Sequence, residues 1–111
     1  MSTDTQNHRA YPRENVRWAA FWSDGERSRT GEIRDISVNG LFLSPAWRPN
    51  TAYAIGDEID VRCAIDDFAI DLKAVVRWSG TSRAHGCEGL GLEVVAPERL
   101  EPLMTRARVG S

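Results

Sequence analysis

From Val16 onward the chain alternates. Val16, Trp18, Ala20 and Trp22 share one face of an extended segment, the period of two expected of a half-buried strand. Residues 23–26, "SDGE", place Asp-Gly at the centre of a hairpin turn. A second strand is predicted from about Ser28 through "GEIRDIS", and a third, "GLFLS", from Gly40. The stretch "PAWRPNTAYAIGD" is punctuated by Pro and Gly and reads as a loop. Beyond it Ile59, Val61, Cys63 and Ile65 form one face of a fourth strand, and Asp66 and Asp67 mark the next turn. Residues 69–79 give the clearest strand signal, with Ile70, Leu72, Ala74, Val76 and Trp78 on one face and Asp71, Lys73 and Arg77 on the other. "GTSRAHGCEG" is a polar loop, and residues 90–95 are the last strand. Pro97 then opens a short helix whose apolar stripe is Leu100, Leu103, Met104 and Ala107.

The pattern predicts an all-β fold with a terminal helix: a six-stranded antiparallel β-barrel, or a sandwich, plus a short C-terminal α-helix. Closure into a barrel removes exposed strand edges. At 111 residues the chain is one domain with room for a single core. Its parts are expected to be a flexible N-terminal arm over 1–10, the barrel over 11–96, and the helix and tail over 97–111. The arm has too few apolar groups to offset its ordering entropy.

Charge changes the picture locally. The net charge of −2 argues against nucleic-acid binding by bulk electrostatics. The first 17 residues, however, hold His8, Arg9, Arg13 and Arg17 against Asp4 and Glu14. A basic arm on an acidic body suits a local anionic partner. No apolar run is long enough for a signal peptide or membrane span, so no membrane insertion is expected and the default compartment is the cytoplasm, with Cys63 and Cys87 reduced. "HGC", at His85–Cys87, is the only place where two metal-ligand types fall close together, and a loop histidine beside an ordinary thiol is the simpler reading. No nucleophile elbow, phosphate-binding glycine loop or triad order is present, so the chain is not expected to be an enzyme.

Two short motifs remain. Arg9-Ala-Tyr-Pro-Arg13 is followed by Asp35-Ile-Ser37-Val-Asn-Gly40. Together, in this order and separation, they resemble the RxxxR and [DN]xSxxG signatures of the PilZ domain family. "VVRW" and "GLGLEVV" are similar to that family's later strands. The resemblance covers nearly the whole chain. It implies a bacterial six-stranded barrel that binds the second messenger cyclic di-GMP without catalysis or cofactor, changes conformation, and signals to an unidentified downstream protein. It assigns binding roles to Arg9, Arg13, Asp35, Ser37 and Gly40, and puts Arg77 and Trp78 beside the ligand. Many members carry a further Arg just before the first motif, where this chain has His8.

The residue chemistry agrees. Arg pairs bidentately with phosphate and with guanine O6 and N7, and stacks on bases. Asp35 can accept from guanine N–H groups. Ser37 can bond phosphate or base, or order the turn. Gly40 permits a positive φ or a close backbone approach. Pro12 stiffens the chain next to Arg13. Arg17 falls inside the first strand, where a solvated role is expected. Trp18, Trp22 and Trp78 follow the core register, and Cys63 reads as an inert buried thiol. Asn39 suits turn geometry. A monomer is expected. The competing readings are a PilZ-like protein-interaction scaffold without ligand and a small-barrel binder of single-stranded nucleic acid.

Overall fold

The alternating segments fold into six antiparallel strands that close on themselves. In the computed structural model, which describes residues 13–23, 28–46, 53–66 and 68–110, the strands are β1 (Glu14–Ser23), β2 (Ser28–Ile36), β3 (Gly40–Pro45), β4 (Glu58–Ile65), β5 (Phe68–Ser82) and β6 (Cys87–Val94). They hydrogen-bond in the closed order β1-β2-β3-β6-β5-β4. The predicted arm, with His8 and Arg9, lies outside the described residues, as do Pro12 and most of the Asp-Gly turn.

The inward parity of each strand fills the barrel. Ala20, Trp22, Ile33, Leu41, Leu43, Ile59, Val61, Cys63, Leu72, Ala74, Val76, Leu90 and Leu92 are all buried in one cluster, and Trp18 packs against it partly exposed. A 3-10 turn, Pro97–Leu100, leads into α1 (Glu101–Gly110), with Pro at the start of the turn. The predicted helix is thus two elements. Leu100, Leu103, Met104 and Ala107 seat it on the barrel, Arg106 lies over the Phe68 ring at 4.5 Å, and Arg108 approaches Glu14 at 4.0 Å. Among the described residues no helix is long and apolar enough to cross a membrane.

Two departures from the predicted pattern matter for the site. The polar stretch at 80–89 is mostly paired: Gly80, Thr81 and Ser82 face Gly89, Glu88 and Cys87, leaving a short turn at 83–86. This hairpin end carries no apolar face, so its pairing leaves no period of two in the sequence. Trp78 is not in the core register. A β-bulge between Val76 and Trp78 sets Val76 opposite Leu92 but Trp78 opposite Gly91, turning the indole outward to 42% exposure.

Candidate functional site

A second bulge builds the other half of the same surface. Between Ile33 and Asp35 the β2–β3 register shifts, so Ile33 opposes Leu43 while Asp35 opposes Phe42. Without that extra residue Asp35 would share the inward parity of Ile33. With it, Asp35 faces outward. The register then lines up one row across the barrel's outer face: Asn15, Asp35, Phe42, Gly91 and Trp78, on β1, β2, β3, β6 and β5 in turn. Gly91 leaves the space that Trp78 covers, since a Cβ there would lie 3.2 Å from the Trp78 Cβ. The Trp78 and Phe42 rings are tilted against each other with centroids 5.8 Å apart.

Arg13, two residues before Asn15 on the same outward parity, reaches this row. Its Nη1 donates to Asp35 Oδ1, an ion pair across a sequence separation of 22. The Asp35 side chain is only 9% exposed and the Arg13 side chain 38%. The other carboxylate oxygen is also engaged: His85 Nε2 lies 2.6 Å from Asp35 Oδ2. Against a carboxylate, which accepts, the tautomer that makes this bond is the one with its N–H at Nε2. The imidazole is stacked on Phe42, 5.3 Å between centroids at 16°. The sequence had offered His85 only as a loop residue. Its position comes from the hairpin, which folds the 83–86 turn back over β2 and β3.

The segment between β2 and β3 is tied by Ser37. Its backbone N–H donates to the Gly40 carbonyl at 2.9 Å, and its hydroxyl lies 3.2 Å from Asn39 Oδ1 and 3.4 Å from the same carbonyl. Ser37 is 2% exposed, so in this arrangement it orders the turn. Asn39 serves the turn as a side-chain acceptor and not through left-handed backbone, which among described non-glycine residues occurs only at Asp66. Of the two roles open to Gly40, the close approach applies: a Cβ would sit 2.5 Å from the Leu92 carbonyl oxygen.

The remaining candidates lie around the row. Arg77 is exposed and bonds Glu93 at 2.7 Å. Arg17 is solvated and pairs with Glu32 at 3.2 Å, as expected of an outward strand residue. Arg34 donates from Nη1 to Cys87 Sγ at 3.6 Å. Cys63 is fully buried, and burial pushes its thiol up to about 12. On the far side of the barrel, Arg62 holds the exposed Asp71 carboxyl below its ordinary value through a 2.8 Å bond. No group of three or more His, Cys, Asp or Glu among the described residues could hold a metal ion.

The family model "PilZ domain" matches residues 7–105. The chain belongs to the PilZ domain family. Solved structures agree on the fold. One, described as the Bacillus subtilis inhibitor of motility MotI/DgrA, superposes with a TM-score of 0.70 at 16% identity, covering 93% of this chain and 52% of that one. The chain therefore spans about half the length of that protein. Another, the PilZ domain of YcgR from Escherichia coli with c-di-GMP, gives a TM-score of 0.68 at 10% identity, covering 88% and 83% of the two chains. A search of curated proteins gave no significant match. In PilZ terms, the second motif of this chain is the β2–β3 junction, and the first motif ends at Arg13, in contact with it.

Proposed function

We propose that this chain is a receptor for cyclic di-GMP that acts in the bacterial cytoplasm by changing what its surface presents to a downstream protein. Family membership supports it, and so does the c-di-GMP held by the PilZ domain of YcgR. The observation that carries it is the meeting of Arg13 and Asp35, 22 residues apart in sequence, on an outer face that also exposes Trp78. One dinucleotide has both chemistries this face offers to bind: phosphate for a guanidinium, and guanine N–H edges for a carboxylate. In this reading Arg9 and Arg13 bind phosphate and guanine O6/N7, with His8 beside them. Asp35 reads the guanine N–H edge. Ser37 and Gly40 hold the turn that aims Asp35, and Arg77 and Trp78 border the bases. No catalysis is assigned, and no cofactor or nucleic-acid partner.

A ligand-free interaction scaffold is the second reading, favoured by the engagement of both Asp35 oxygens within the chain. Isothermal titration with cyclic di-GMP, with GTP and cyclic di-AMP as controls, separates the two. Saturable heat with cyclic di-GMP alone supports the receptor. Absence of heat at about tens of micromolar protein, where a micromolar complex forms, supports the scaffold.

A further inference from the structure

His85 imitates the ligand. It is a planar aromatic ring whose face lies on Phe42, 5.3 Å between centroids. Its ring N–H edge points at Asp35 Oδ2, 2.6 Å away and 50 residues distant in sequence. A guanine read by Asp35 would present the same two features: an N–H edge to the carboxylate and a flat face to the neighbouring aromatic ring. Both cannot be there together, because the Asp35 and His85 side chains are each only 9% exposed. Arg13 already takes Oδ1. A base therefore reaches the carboxylate only when one partner leaves, and losing His85 frees both an oxygen and the face of Phe42.

We infer that His85 is a built-in gate on Asp35: cyclic di-GMP displaces its imidazole, because base and ring compete for one carboxylate oxygen and one aromatic face. The inference rests on the receptor reading above. The hairpin is suited to the movement. His85 sits in the 83–86 turn, whose neighbours Arg83, Ala84 and Gly86 are exposed, and the turn is tied by the His85 backbone N–H to Ser82 Oγ at 3.2 Å.

The surroundings suit an exchange. From β2 His85 meets Asp35, and through it Arg13 from the chain entering β1. From β3 it meets Phe42. A guanine replaces both contacts, an N–H edge on the carboxylate and a flat face on the ring, so displacement leaves neither Asp35 nor Phe42 bare.

The test is titration of the full chain with cyclic di-GMP in wild type, His85→Ala and His85→Gln. His85→Ala frees both the carboxylate oxygen and the Phe42 face and should bind about tenfold more tightly than wild type. His85→Gln keeps a donor but loses the stacked ring and should also bind more tightly than wild type, so the proposal stays testable if the alanine variant folds poorly. Folded variants that bind as weakly as wild type or more weakly overturn the gate while leaving the receptor intact. Absence of binding by every protein removes the receptor reading and the gate with it.

Discussion

Gly40→Ala separates the structural part of the second motif from its chemistry. A Cβ at this position lies 2.5 Å from the Leu92 carbonyl oxygen, 3.6 Å from the Leu92 carbonyl carbon and 3.8 Å from the Glu93 Cα. All three are backbone atoms of β6, and Gly40 pairs with Glu93 in the β3–β6 ladder. No rotamer change relieves the clash, so the strands must part where the Ser37 turn enters β3. Overpacking of this kind costs about 1–3 kcal/mol. At roughly 4–8 °C per kcal/mol for a small domain, the expected fall in Tm is roughly 4–24 °C. Gly91→Ala is the contrast: its Cβ meets the Trp78 Cβ at 3.2 Å and Cε3 at 3.4 Å, so a shift of a few tenths of an ångström at β5 and a turn of the half-exposed indole relieve it. Its loss should stay below about 1 kcal/mol. Thermal unfolding followed by far-ultraviolet circular dichroism measures both. If Gly40→Ala melted within about 2 °C of wild type, or Gly91→Ala proved the more damaging, the close-approach account of Gly40 would be wrong.

Other outcomes are as definite. Arg13→Ala removes charge-assisted bonds worth about 1.5–3 kcal/mol each, so cyclic di-GMP affinity should fall about tenfold to a hundredfold; calorimetry on the folded variant checks it. Affinity should also fall as ionic strength rises, because the ligand carries phosphate charge, and a salt-independent constant would indicate stacking as the dominant contribution. Cys63, raised from 9.0 to about 12 by burial, favours the neutral thiol in the folded state. Its contribution is complete below the unfolded value and is lost as pH climbs from 9.0 toward about 12. Urea titrations should therefore show wild type losing stability over that window more steeply than Cys63→Ala. Leu43→Ala, at a position with 0% exposure, should cost about 2–5 kcal/mol in the same assay.

The barrel was legible because its inward residues are apolar and alternate without interruption along most strands. The row that forms the candidate site was less so, for a physical reason: it depends on two bulges. Each inserts one residue and so reverses the facing of the later residues in its strand, and neither Arg34 nor Arg77 announces itself as that residue in a lone sequence. So Trp78 has the parity of a core residue and yet lies outside. Asp35 was found through its motif, whereas its strand parity alone would have put it inward. His85 was missed because its partner is 50 residues away and the hairpin that carries it has no buried face. Arg13 and Asp35, drawn from the two motifs, do meet in the fold, and Ser37 and Gly40 have structural reasons that their types already suggested.

Cyclic di-GMP is proposed to bind along the outer row from Asp35 to Trp78. The most direct measurement is amide chemical-shift mapping of the isotope-labelled chain during titration with cyclic di-GMP. Saturable shifts are expected at Arg13, Asp35 to Phe42, Arg77 to Trp78, and His85 to Gly91. The opposite outer face, around Arg62 and Lys73, should remain silent. Saturable shifts centred on Arg62 and Lys73, with the Asp35 row unmoved, would contradict it.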